Sequence, residues 1–184
     1  WRKEFYENLK TVKKIIVPSY STKNIFLNTY KDLTIEVVEH GYDKINGKPN
    51  NDNPDKKKKN KKFNIAFIGY ITEEKGLKYL EELTEKVKGT DINVHLFGQT
   101  TNKKCNKNKK NYVYHGKYIQ QDLPNLLLEN DIKLICLLSM WPETYSYTLS
   151  ESLISEIPVI SFDLGAIAER VKKADVGWIL PINS

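Results

Sequence analysis

Short apolar runs rich in β-branched residues alternate with amphipathic stretches along most of the chain. Read by period, they predict strands at residues 14–17, 33–39, 63–69, 92–98, 112–115, 132–138, 158–162 and 177–180. Helices are predicted at 2–12, 21–30, 74–87, 120–130, 145–156 and 166–173. Within 74–87, Leu77, Leu80, Leu83 and Val87 recur at helical spacing and make one buried stripe. Strand followed by helix, repeated, predicts an α/β fold: a Rossmann-like parallel sheet with helices on both faces. In such a sheet ligands bind beyond the carboxyl ends of the strands, where strand order reverses. Chemistry is therefore to be sought in the loops after Gly69, Gly98, His115, Ser139 and Phe162.

The pattern breaks at residues 44–62, which hold Gly47, Pro49, Pro54, five asparagines and a lysine run, with almost nothing apolar after Ile45. That composition reads as a linker or long surface loop and places a domain boundary there. Residues 1–43 then form the tail of a preceding domain, and 63–184 most of a second. No internal repeat is present.

With 184 residues, 40% hydrophobic and 28% charged, the chain suffices for one good core, or for one domain plus part of another. No stretch approaches the roughly 18 apolar residues of a membrane span, and no signal peptide precedes the first strand. The chain opens on Trp1 rather than Met, so residues ahead of it are expected in the natural protein. Cys105 lies in a lysine-rich loop and Cys136 in an apolar run, so the two are not expected to pair. Two lone cysteines make no zinc site and fit a reducing cytoplasm.

The net charge of +6 invites a nucleic-acid reading. Six lysines lie in residues 56–62 and five in 103–110, and removing those eleven from +6 leaves the remainder at −5. The folded body is acidic, and its basic character sits in two Asn/Lys-rich loops expected to be solvated and disordered. Nucleic-acid binders interleave basic and aromatic residues on a folded face, which these loops do not, so no nucleic-acid partner is expected.

The strongest chemical signal runs from Trp141 to Glu169. Glu143 and Glu151 are separated by seven residues, with a polar turn over 144–147 between them and the second glutamate on a helix beginning near Tyr145. The first amides of a helix are unpaired and lie at its positive end, which suits phosphate. A carboxylate one to two turns in can accept from the vicinal hydroxyls of a ribose, and one ahead of the helix from a sugar hydroxyl. By themselves two such glutamates also fit a helix-start stabiliser and a solvent-facing side chain.

A second constellation runs from Phe63 to Gly76: an apolar strand reaches Gly69, a short loop follows, and Lys75-Gly76 opens a helix. Glycine at a strand's end admits a phosphate to the backbone, and a lysine six residues on can supply a point charge. It is not a Walker A loop, since no glycine precedes Lys75 and no Ser or Thr follows. Lys75 equally suits a surface position in a first helical turn. His95, in a strand, and His115, before a turn glycine, read as structural; no metal cluster or Ser-His-Asp order stands out.

These segments together resemble the retaining GT-B glycosyltransferases of the family 4 group, in particular a bacterial polysaccharide branch. The likeness rests on Pro142-Glu143-Thr144, Glu143 and Glu151 as the Glu-x7-Glu pair, Ile157-Pro158-Val159-Ile160, Asp163, the run Gly165 to Arg170, and Gly177. The resemblance implies that Glu143 contacts the donor sugar, Glu151 the ribose, and the backbone of Ser146, Tyr147, Thr148 and Leu149 the diphosphate and sugar. It assigns the diphosphate to the strand end at Gly69 and to Lys75, which with Glu143 takes the catalytic role. The family's arginine after that glycine is replaced here by Tyr70; losing such a contact costs about 1.5–3 kcal/mol. Tyr118 follows Gly116 where the family brings backbone near the base; it packs on a base or on the fold. His40 resembles the family's junction between its two domains.

The resemblance implies a truncated GT-B C-terminal domain carrying the tail of the N-terminal one. The parent enzyme would transfer a sugar from a nucleotide-diphosphate donor to a glycan or lipid-linked acceptor with retention, without metal or other cofactor. It would be cytoplasmic, with peripheral membrane association an option, and this chain alone would be inactive. The alternatives are a non-catalytic sugar-nucleotide-binding module and a GT-B-type epimerase, the latter disfavoured by the Glu143–Glu151 spacing.

Overall fold

The computed structural model describes residues 1–41 and 62–182. The predicted linker thus lies outside the described residues except for Lys62, whose Nζ donates to Asn93 Oδ1 at 3.2 Å. The first segment builds a small unit from α1 (Arg2–Thr11), β1 (Ile15–Val17), α2 (Tyr20–Thr29) and β2 (Ile35–Val37), its two strands parallel. The rest follows the predicted alternation: β3 (Phe63–Ile71), α3 (Leu77–Lys86), β4 (Ile92–Thr100), β5 (Tyr112–Gly116), α4 (Leu123–Glu129), β6 (Ile132–Leu137), α5 (Tyr147–Ile154), β7 (Val159–Phe162), α6 (Gly165–Ala174) and β8 (Gly177–Leu180). Among the described residues no helix is long and apolar enough to cross a membrane.

The second sheet is six-stranded and wholly parallel, in the order β5-β4-β3-β6-β7-β8. The chain moves outward from β3 to β5, then returns to the other side of β3 with β6. That reversal lies between β3 and β6, so the crevice beyond their carboxyl ends is where this topology binds ligands. Burial alternates along β3 with the strand period: Ile65, Phe67 and Ile71 join one core, Ala66 and Ile68 the other. The first core is closed by Leu77, Leu80 and Val87 of the α3 region, with Leu83 packed at its margin. The second takes Leu123 and Leu127 of α4, Leu149 of α5, and Ile167 and Val171 of α6. A fully buried leucine such as Leu80 contributes about 2 kcal/mol over an exposed one.

Three expectations are corrected. The strands predicted to stop at Gly69 and Gly98 both continue two residues further, because Tyr70↔Gln99 and Ile71↔Thr100 keep the register of the pair. The helix predicted from residue 74 begins at Leu77: Lys75 and Gly76 amides bond back to Thr72 and Glu73 carbonyls in a turn, and Gly76 caps the helix at φ 85°. The lysine run at 103–110, expected to be disordered, is folded. A 3₁₀ turn, Lys103–Cys105, buries Cys105, whose carbonyl accepts from Tyr112 Oη at 2.7 Å. The Asn106 side chain clasps the Thr100 amide and carbonyl, both at 3.1 Å. The run then lies along β5: Lys109 and Tyr112 exchange backbone bonds of 3.0 and 3.1 Å, and Tyr114 N donates to Asn108 Oδ1 at 2.7 Å. Both cysteines are buried and free.

Candidate functional site

Two loops meet at the reversal of strand order. The Thr72–Gly76 turn after β3 presses against the end of β6, where a Cβ on Gly76 would fall 2.3 Å from the Leu138 carbonyl oxygen. From the other side, Ser139 Oγ and Met140 N donate to the Glu74 carbonyl at 3.1 and 2.7 Å. Stitched in this way, the loops bring Lys75 Nζ to 3.6 Å from Glu143 Oε1. Glu143 is itself fixed at its backbone, where its carbonyl accepts from Ala166 N at 2.9 Å at the start of α6. With Lys75 half-exposed, the pair adds at most about 1 kcal/mol to stability. A cavity of about 30 Å³ lies there, lined among others by Tyr70, Lys75, Ser139, Glu143, Ser146 and Thr148.

Helix α5 starts at this crevice, two residues later than predicted. Ser146 caps it from a left-handed conformation, φ 72° and ψ 95°, and its Oγ accepts from Leu149 N at 3.3 Å. Leu149 therefore has its amide occupied and its side chain in the core. The amides of Tyr147 and Thr148 have no acceptor among the described residues. Thr148 Oγ1 would lie 3.5 Å from a Cβ on Gly69, which places the helix start beside the β3 glycine.

One turn in, Glu151 is buried and accepts from Tyr118 Oη at 2.9 Å on Oε2. Oε1 has no partner among the described residues. Burial raises the Glu151 pKa above the usual carboxylate value, against the lowering by the Tyr118 hydroxyl. The predicted residues thus fall into two groups along α5: Gly69, Tyr70, Lys75, Glu143, Ser146 and Thr148 around the crevice, and Glu151 with Tyr118 further on. Tyr147 is half-exposed, and its ring stacks on His40 at 5.7 Å.

Arg170 enters this region although sequence reasoning gave it no role. It is buried on α6, with Nη1 donating to the Tyr145 and Ser146 carbonyls at 3.1 and 2.9 Å and Nη2 to Ser150 Oγ at 2.8 Å. The available signal was an arginine on the buried face of α6, among Ala166, Ile167 and Val171. Its neighbour Glu169 accepts from the Tyr20 and Ser21 amides at 3.1 and 2.7 Å, tying α2 to α6.

His95 and His115 face each other on β4 and β5, Nδ1 to Nε2 at 3.0 Å, and Phe97 stacks on His115 at 4.0 Å. The pair is neutral: burial takes His95 from 6.5 down to about 4 and lowers His115 as well. Below pH 6.5 the unfolded chain binds protons that the folded protein refuses, so stability falls with pH from about 6.5 toward 4, by on the order of 3 kcal/mol for His95. The thermal midpoint is expected to drop by several degrees from pH 7.5 to 5, and less in His95→Leu. Equal pH slopes in the two proteins would exclude this origin.

No group of three or more His, Cys, Asp or Glu that could hold a metal ion stands together among the described residues. The arrangement offers an anion two open helix amides and a lysine, and offers hydroxyls two carboxylates.

Among solved structures, the fold is similar to a glycosyltransferase from Rickettsia africae, with TM-score 0.74 at 20% identity over 98% of this chain and 53% of that one. It is also similar to Anabaena HepE crystallised with UDP and glucose, with TM-score 0.70 at 16% identity over 94% and 50%. In sequence it is 26% identical over 120 residues to a Klebsiella pneumoniae protein described as an uncharacterized 41.2 kDa protein in the cps region. That stretch is 65% of this chain and 33% of the Klebsiella protein. The chain thus spans about half the length of the two structures and a third of that relative. The Rossmann-like sheet is that of GT-B glycosyltransferases. Residues 48–184 match the profile of one family, and the chain belongs to that family, the glycosyl transferases group 1.

Proposed function

We propose that this chain is the donor-binding half of a retaining, family 4-type GT-B enzyme that moves a sugar from a nucleoside-diphosphate donor to a glycan or lipid-linked acceptor. Residues 1–43 would close the preceding domain, 44–62 would link, and 63–184 would hold the donor. The observation that carries the reading is the convergence of Lys75, Glu143 and the open amides of α5 at the point where strand order reverses. That the Anabaena relative holds UDP and glucose supports a donor of this class.

In this reading the free Oε1 of Glu151 accepts from the ribose, and the Tyr147 and Thr148 amides hold the diphosphate. Glu143 takes a hydroxyl of the sugar. Lys75, released from Glu143, stabilises charge on the departing diphosphate. Tyr70 stands in the family arginine's place, so the diphosphate relies on Lys75 and the helix start. The donor needs no metal, and the cytoplasm supplies it, with peripheral membrane attachment where the acceptor is a lipid.

The test is a calorimetric panel of UDP-, GDP-, ADP- and dTDP-sugars and of the bare nucleotides. One family of donors should bind, and binding by none would end the proposal. Glu143→Ala is expected to weaken the sugar-bearing donor about tenfold and the bare nucleotide far less. Equal losses for both would remove the sugar contact. Donor binding without transfer, in the protein with its acceptor-binding half, would favour the non-catalytic module instead.

A further inference from the structure

Resting on the donor reading, we infer that Arg170 is the positioning residue for the diphosphate-binding end of α5, orienting the open Tyr147 amide through the Ser146 carbonyl and bracing the turn through the Tyr145 carbonyl.

The peptide group is planar and trans, so its N–H points opposite to its C=O. Arg170 Nη1 holds the Tyr145 and Ser146 carbonyls together, at 3.1 and 2.9 Å. The amide sharing the Ser146 carbonyl's peptide plane is that of Tyr147. Drawing that carbonyl toward the buried guanidinium therefore turns the Tyr147 N–H away from it. The turn does not keep this geometry by itself, since Ser146 sits at φ 72° with a side chain that disfavours it. The fork also fixes the far side of the first helical turn, through Nη2 on Ser150 Oγ at 2.8 Å. Beneath it the Tyr145 ring lies 4.0 Å from the guanidinium carbon, and Tyr145 Oη is anchored on the His40 carbonyl at 2.9 Å.

A lysine cannot reproduce this. Its single nitrogen lacks the planar fork that reaches two carbonyls and a hydroxyl at once. Arg170 is not a catalytic residue: its bonds are to the backbone and to Ser150, and it acts through Ser146 and Tyr147.

Two measurements decide the matter. In ligand-free protein, Arg170→Met and Arg170→Lys are expected to speed hydrogen exchange at the Leu149 amide, held by Ser146 Oγ, at least tenfold. The Leu96 and Phe97 amides of the central sheet should keep their wild-type rates. An unchanged Leu149, or an equal rise in the sheet, overturns the inference. In titrations with UDP, GDP, ADP and dTDP, whichever binds wild type should bind Arg170→Lys at least tenfold more weakly. The matching nucleoside, which lacks phosphates, should be unaffected; equal weakening of both also overturns it. If wild type binds none of the four, the donor reading fails and the exchange rates still decide what Arg170 does.

Discussion

Gly98→Ala is expected to destabilise the protein by about 3 kcal/mol or more, read as a lowered denaturant midpoint with little folded protein recovered. Gly98 stands opposite Gly69 in the central strand pair, at φ 128°, and a Cβ there would lie 1.9 Å from the Gly69 carbonyl oxygen. The obstacle is backbone, so no rotamer change relieves it. β3 and β4 are both flanked by further strands, which leaves neither free to move aside. The left-handed conformation adds about 1–2 kcal/mol for any side chain. Gly89→Ala is the control: its φ is also positive, at 80°, but its Cβ meets nothing within 4 Å. If the two variants lose the same stability, the strand contact is not what matters at Gly98. Because the Gly69 carbonyl is the atom displaced, any Gly98→Ala protein that survives should also bind nucleotide poorly.

Glu151→Gln is expected to separate binding from stability. Losing the carboxylate proposed to accept ribose hydroxyls should weaken nucleoside diphosphate binding by about 1.5–3 kcal/mol, roughly ten- to hundredfold in calorimetry. The fold should not suffer. Burial raises the Glu151 pKa, so the folded protein holds this proton more tightly than the unfolded chain. Stability from that group is present below pH 4.5 and is lost as pH rises through the raised folded value. Glutamine carries no charge for burial to disfavour, while its amide oxygen still accepts from Tyr118. The thermal midpoint at pH 7 should stay level or rise. A fall of several degrees with binding intact would make Glu151 a structural residue.

The sheet and its helices were legible because burial on both faces writes apolar runs and helical stripes directly into the sequence, as in β3 and in Leu77, Leu80 and Val87. Helix starts were less so. Glu74 and Lys75 have helix-compatible side chains, yet the close Gly76–Leu138 approach is tertiary, and the helix begins only at Leu77. Glu143 and Lys75 could be nominated from motifs, but their 3.6 Å approach depends on the Ser139 and Met140 bonds to Glu74. Arg170 closes a motif run without any sign of its task, because its partners are carbonyls 24 and 25 residues back, which leave no mark on composition. The lysine run misled for the same reason: Cys105 and Asn106 anchor it through contacts that its charge conceals.

The folding of that run also settles the fate of one sheet border. A parallel sheet ends in a strand whose outward amides and carbonyls invite another chain to extend it. At β5 the invitation is withdrawn from within: Tyr112 spends both backbone groups on Lys109, and Tyr114 donates to Asn108. The exposed lysines of the same run add charge at that border, a device that disfavours edge-on pairing of strands. The run thus makes a selvage, a margin finished by its own hydrogen bonds.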